Sequence, residues 1–194
     1  MHTHRLITKD IQPKYKINKI TFRNKVARTA WRIIWLFLYR PSPTLMHCWR
    51  AFLLRLFGAK VGRPVYIYPS SKVWAPWNLE IGDFSTLADG VDCYSVDKVT
   101  IGSFTTISQN CFLCTAGHDY LNPSILLRPQ MDLITAPITL GNHVWLTANV
   151  YVSPGINVQD GVVVMANSSV IKHIPAWTVV AGNPAKFIKR RILR

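Results

Sequence analysis

The chain has 194 residues, of which 49% are hydrophobic, with 23 Lys and Arg against 9 Asp and Glu and a formal net charge of +14. That apolar fraction excludes a disordered polyelectrolyte, and the length suits one domain with a core of its own. Four cysteines in no regular framework argue against a secreted disulfide scaffold and for a reducing, cytoplasmic compartment.

The charge is concentrated at one end. Residues 1–60 hold 13 of the 23 bases and a single acid, Asp10, about +12 by counting, whereas residues 61–194 hold 10 bases and 8 acids. Met1 to Asp10 has no apolar core of the length a signal peptide needs. Two helices are predicted on either side of Pro41 and Pro43, the first with an apolar face of Trp31, Ile34, Trp35 and Leu38. The second has Leu45, Trp49, Phe52, Leu53, Leu56 and Phe57 as its face. The longest uncharged apolar run, Ile33 to Tyr39, is far below the roughly 20 residues that span a bilayer. Two readings of this half are open. It is an anchor lying in a membrane surface, with Arg28, Arg32, Arg40, Arg50 and Arg55 at anionic headgroups, or it caps the open end of the domain C-terminal to it. The two stand level for the second helix, and the membrane surface is favoured for the first. The segment has no recognition module for nucleic acid, which is not expected as a partner.

From Val61 the pattern changes to a six-residue beat. Val61, Ile67, Val73; Ile81, Leu87, Cys93; and Ile101, Ile107, Leu113 recur in blocks of 20, each opened by an apolar-Gly pair. After one interruption the beat resumes at Leu140 and runs through Leu146, Val152, Val158, Val164 and Val170. A period of six with a super-period of 18 to 20 predicts a solenoid with three short strands per turn, each turning one apolar side chain into a shared core. The fifth position of each hexad is small or β-branched, as a narrow prism requires, in Val65, Ser71, Ser85, Val91, Thr105, Cys111, Val144, Val150, Val162 and Ser168. Trp77 and Asp97 break that rule, both beside two-residue insertions. Cys111 and Cys114 have the spacing of a metal or redox pair, but the register turns Cys111 inward and Cys114 outward, so they are expected to face apart.

The interruption falls between Leu113 and Leu140, where Thr115-Ala116-Gly117-His118-Asp119-Tyr120 leads into a loop with Pro123, Pro129 and Pro137. Insertions in a regular solenoid gather on one face, and such a face commonly binds ligand. The expected organisation is a basic helical region over 1–60, the solenoid over 61–182 with an inserted loop at 119–137, and a basic tail over 183–194.

The hexads, with Thr115-Ala116-Gly117-His118, Ile138-Thr139-Leu140-Gly141-Asn142-His143-Val144-Trp145 and Val179-Val180-Ala181-Gly182-Asn183-Pro184-Ala185-Lys186, resemble the hexapeptide-repeat acyltransferases of the galactoside and maltose O-acetyltransferase group. Trp74-Ala75-Pro76-Trp77-Asn78-Leu79-Glu80-Ile81-Gly82 and Val91-Asp92-Cys93-Tyr94 are closer still to the acetyltransferases assigned to colanic acid biosynthesis. The resemblance implies an all-β solenoid, a left-handed parallel β-helix with an N-terminal helical extension. Handedness comes from the resemblance alone, since parallel crossovers are usually right-handed. It further implies acetyl transfer from acetyl-CoA to a sugar hydroxyl in exopolysaccharide or other glycan synthesis, a homotrimer with sites between subunits, and no metal. The acceptor would be a sugar or lipid-linked glycan, met at the inner face of the membrane.

By the same resemblance His118 is the general base. Asp92, Ser95 and Asp119 are the polar candidates to orient it or the acceptor, because Ala88 stands where several relatives carry an Asn. Trp145, outward in its hexad, either packs on a neighbouring subunit or, as its counterpart in the family does, against the pantetheine arm, and Ala148 stands where a hydroxyl is common, leaving its backbone N–H as oxyanion donor. Ala166 and Lys172 match backbone and cationic contacts to the cofactor, and Lys186 and Lys189 match positions that bind its phosphates. For these last residues a solvated helix end is the alternative. A non-catalytic scaffold at the membrane is the rival from another class. A zinc hydratase on the same fold would need about three converging His, and the solenoid offers only His118, His143 and His173 in separate coils.

Overall fold

The structure is a computed structural model that describes residues 15–17, 20–119 and 132–193. From Lys60 onward the chain winds as a parallel β-solenoid, three short strands to a turn, and the strands stack into three faces. Face 1 comprises Lys60–Val61, Leu79–Ile81, Val99–Ile101, Ile138–Leu140 and Asn157–Val158. Face 2 comprises Val65–Ile67, Ser85–Leu87, Thr106–Ile107, Trp145–Leu146, Val163–Val164, Thr178–Ala181 and the antiparallel Lys186–Arg190. Face 3 comprises Lys72–Val73, Asp92–Tyr94, Phe112–Cys114, Tyr151–Val152 and Ser169–Val170.

The six-residue beat is the inward column of each face. Ile67, Leu87, Ile107, Leu146 and Val164 are in register on face 2, and Cys93, Leu113, Val152 and Val170 on face 3, all buried. Hydroxyls at the fifth position stitch coil to coil: Ser85 Oγ donates to the Gly102 carbonyl at 2.7 Å and Thr105 Oγ1 to the Gly141 carbonyl at 2.7 Å. The apolar-Gly pairs recur because coils touch there. A Cβ on Gly102 would sit 2.5 Å from the backbone carbon of Gly141. The corner between faces 1 and 2 takes left-handed backbone at Phe84, Phe104, His143 and Trp177, and the first three rings stack at 4.9 and 5.1 Å. Asparagine, which tolerates that conformation, fills the corner between faces 2 and 3 at Asn110, Asn149 and Asn167. The two departures from the hexad rule lie at the third corner: Trp77 is in a 3-10 turn, Pro76–Asn78, and the Asp97 N–H bonds to Thr115 Oγ1.

Helix α1 (Phe22–Ile34) starts at Thr21, whose hydroxyl accepts from Asn24 N–H, and runs into a π-helical turn, Trp35–Tyr39. This segment lies against face 3. The indole N–H of Trp31 donates to the Val73 carbonyl at 2.7 Å, that of Trp35 to the Ser71 carbonyl at 2.9 Å, and Tyr39 Oη pairs with Ser71 Oγ. Trp31 and Trp35 of the expected apolar face therefore dock on the solenoid, whereas Leu38 is left exposed.

Helix α2 (His47–Leu56) closes the first coil with part of the face expected, Trp49, Leu53 and Phe57 packing on the core, and with residues beside it. Ala51, Leu53, Leu54 and Arg50 are buried, while Leu45, Phe52 and Leu56 face solvent. Arg50 is not at a membrane surface. Its guanidinium lies inside, donating to the carbonyls of Ile67, Pro43 and Thr44 and to Ser42 Oγ. Arg55 is likewise committed, to the carbonyls of Val61 and Gly62. Carbonyls at the open end of a solenoid lack a next coil to bond, and these two arginines supply the donors.

Candidate active site

His118 ends a strand, Ala116–His118, that leaves the solenoid at the corner between faces 3 and 1. It pairs antiparallel with Leu133–Thr135, His118 opposite Leu133, and Lys16–Ile17 adds a third strand to this arm. The His118 side chain is exposed. The half-buried Asp119 is next in the chain, its N–H bonded to the Asp132 carbonyl at 3.2 Å. The remainder of the expected loop, 120–131, lies outside the described residues.

Asp92 is on the outer side of face 3, between Lys72 and Phe112 in register. Half-burial raises its carboxyl above the ordinary range, and the field of Lys72 opposes that shift. Phe112, opposite Asp92, is six residues before His118, and the chain leaves face 3 between them. Ser95 is spent on structure: its Oγ accepts from Ala75 N–H and donates to the Ala75 carbonyl. Of the expected carboxylates, Asp119 is next to His118 in the chain, and Asp132 precedes Leu133, the residue opposite His118.

The residues expected to hold the donor lie elsewhere. Trp145 is on the outside of face 2, 47% exposed, its indole N–H on Ser108 Oγ at 3.0 Å. Ala148 and Ala166 stack in successive coils at the corner between faces 2 and 3, where the Ala148 carbonyl accepts from Asn167 N–H at 3.1 Å. Lys172 is exposed beyond face 3, lining a 210 Å³ cavity with Phe187. Lys186 and Lys189 are exposed on a strand, not a helix end, that folds back on Thr178–Ala181 as a hairpin with a bulge. In a three-faced prism the corner carrying His118 is the one opposite face 2, so His118 and Trp145 of one chain are on opposite sides.

The cysteines face apart as expected. Cys111 and Cys93 are inside the prism, where burial pushes their thiols up to about 11 and about 12. Cys114 is buried on the outer side of face 3 with Sγ on the Ala116 carbonyl. Among the described residues no group of three His, Cys, Asp or Glu is gathered as a metal site.

One feature went unread in the sequence. A cavity of 490 Å³ opens between α1 and face 3, lined by Arg28, Arg32, Arg40, Lys72, Trp74, Tyr94 and Asp92 among others. The i, i+4 pair Arg28 and Arg32, followed by Trp35, was the available signal. Nothing local told which side of the helix would meet a sheet.

No family model matches the chain. It is 40% identical over 169 residues, 87% of this chain and 90% of the relative, to the Escherichia coli K12 protein WcaF, named for acetyl transfer in colanic acid biosynthesis. A crystal structure of a maltose O-acetyltransferase from Clostridium difficile 630 superposes with a TM-score of 0.78 at 26% identity, covering 87% of this chain and 88% of that one. A hexapeptide-repeat acetyltransferase of Vibrio cholerae, crystallised with acetyl coenzyme A, shares the fold at a TM-score of 0.77 and 22% identity over 89% of this chain and 91% of its own. The hexads, the solenoid they build and the 40% identity to WcaF lead to one assignment: the chain belongs to the hexapeptide-repeat acetyltransferases and is an acyltransferase.

Proposed function

We propose that the protein moves an acetyl group from acetyl-CoA directly to a hydroxyl of a sugar or lipid-linked glycan, with His118 as general base, in a homotrimer whose sites lie between subunits. The observation that carries this reading is the opposition of His118 and face 2. A base on one corner and a pantetheine-binding Trp145 on the far side meet only when a second copy supplies one of them. The likeness to sugar O-acetyltransferases and to WcaF supports the acceptor class.

Neutral imidazole takes the proton of the hydroxyl as its oxygen attacks the thioester carbonyl. The C–S bond then breaks, and the CoA thiolate leaves with the proton from the imidazolium. No acyl-enzyme forms. Asp119 is the carboxylate placed to orient the ring, and the Ala148 N–H is the candidate donor to the oxyanion. Lys172, Lys186 and Lys189 would hold the phosphates of the donor, and Ala166 would line its arm.

The exposed Phe37, Leu38, Leu45, Phe52 and Leu56, in the basic half of the chain, support peripheral contact with an anionic inner leaflet. No helix among the described residues is long and apolar enough to cross a membrane.

The test is His118→Ala. It should lower kcat about 10²-fold or more with acetyl-CoA affinity nearly unchanged. A wild-type kcat in that variant overturns the mechanism.

A further inference from the structure

The cavity between α1 and face 3 gathers positive charge around aromatic rings. Four cations, Arg28, Arg32, Arg40 and Lys72, meet one carboxylate, Asp92, and none of the four closes an ion pair with a described residue. Two of the guanidiniums are held by aromatic rings instead: Arg28 lies 4.1 Å from the centroid of Trp74, and Arg40 5.4 Å from that of Trp35. The Arg28 Nε also donates to Asn24 Oδ1 at 3.1 Å, which steadies that guanidinium and leaves its terminal N–H groups for another acceptor, such as a phosphate. Tyr94 and Trp74 form an edge-to-face pair at 5.5 Å on the same wall, so aromatic surface lies beside the cations.

The position of this cavity relates it to the proposed chemistry. Tyr94 is in register with Cys114 on the next coil, and His118 lies four residues further on, about 13 Å along an extended strand. A ligand seated on the arginines can thus extend along face 3 toward the arm that carries the base.

We propose that this cavity is a subsite for a phosphate or diphosphate ester carried by the acceptor, so that the enzyme acetylates a glycan while it is still attached through its phosphate. The proposal rests on the acetyl-transfer reading for its consequence but not for its binding. The ester's source is either a polyprenyl diphosphate or a nucleotide diphosphate, which share the anion and differ in the group esterified to it.

The experiment uses the full chain and the double variant Arg32→Gln, Lys72→Gln, both exposed side chains outside the proposed catalytic machinery. First, inorganic pyrophosphate is titrated without acetyl-CoA, following tryptophan fluorescence. Wild type should bind, and the variant should bind at least ten times more weakly with an unchanged melting temperature. Second, a panel of sugars is offered as free glycosides, nucleotide diphosphate esters and short-chain prenyl diphosphate esters. Wild type should favour one ester class at least tenfold in kcat/KM over the glycoside, and the class favoured identifies the source. The variant should lose most of that preference at constant KM for acetyl-CoA. Equal pyrophosphate affinity in the two proteins overturns the subsite, as does a raised KM for acetyl-CoA with acceptor preference intact, since the cavity would then serve the donor. If no sugar is acetylated, the acetyl-transfer reading fails, and the pyrophosphate titration still decides the cavity.

Discussion

Arg50 sits at 0% exposure without a carboxylate beside it, which only a full set of acceptors makes tolerable. Desolvation lowers its pKa, with the Tyr39 phenol and the Asp89 carboxylate opposing. Arg50→Met should cost about 2–4 kcal/mol, because the carbonyls of Ile67, Pro43 and Thr44 lose their donors. Arg50→Lys should recover little of it, since an ammonium cannot span the same acceptors. Urea denaturation of the three proteins measures both. The thiols are tested by alkylation at pH 8. Cys48 is exposed and should react, whereas Cys93, pushed up to about 12, holds about one thiolate in ten thousand and is closed off by burial. Native protein should take one label and denatured protein four. Asp92 gives a pH signature with a defined sign. Its folded pKa is raised, so the folded state holds its proton more tightly. That stabilisation is complete below the ordinary value of 3.8 and is lost as pH rises through the folded value. Asp92→Asn should therefore flatten the decline of stability with rising pH above about 4, read from melting temperatures across a pH series.

At the scale of an element, the coil is the unit of stability, and its tolerance differs sharply between glycines of similar sequence context. Gly102 meets only backbone atoms of the next coil, which would lie 2.5 to 2.7 Å from an added methyl, so Gly102→Ala forces two coils apart. We expect a loss of about 3 kcal/mol or more. Gly117, on the arm, has nothing within 4 Å of such a methyl, and Gly117→Ala should change stability by less than about 0.5 kcal/mol. Thermal melts of the pair distinguish a solenoid seam from an open strand. The same arm brings Lys16–Ile17 to the outer edge of Leu133–Thr135, so these two residues share a sheet with His118.

For the whole molecule, the opposition of His118 and Trp145 has a consequence for assembly. Sedimentation should find three times the 22.1 kDa chain mass, and activity should fall on dilution below the dissociation constant of the trimer. Replacing Lys186 and Lys189 together by Gln should raise KM for acetyl-CoA at least tenfold with little change in kcat, because phosphate contacts hold ground and transition state alike. An unchanged KM would leave Lys172 as the residue to test. The helical half divides its work. Trp31, Trp35, Tyr39 and Arg50 belong to the solenoid, so deleting them would confound a membrane assay, and the sound variants are Phe37→Ser with Phe52→Ser on the exposed side. These should weaken sedimentation with anionic vesicles, and wild-type binding should itself fall with salt.

The solenoid was legible in the sequence because it is local in origin. Each coil repeats the contacts of the last, so a periodic core must appear as periodic residues, and the close approach of coils must appear as glycine after each apolar residue that opens a block. The arm at His118 was legible for the same reason, as the place where the beat stops. The helices were legible as elements, but which of their side chains would be buried was only partly so, because residues 31–57 are apolar on more than one side and several faces compete for burial. Which face won was decided by where the first coil exposes unpaired carbonyls, at Val73, Ser71 and Ile67, since these choose Trp31, Trp35 and Arg50 as donors. The basic cavity likewise joins residues 28–40 to residues 72–94, and only tertiary docking sets an arginine of one over a tryptophan of the other.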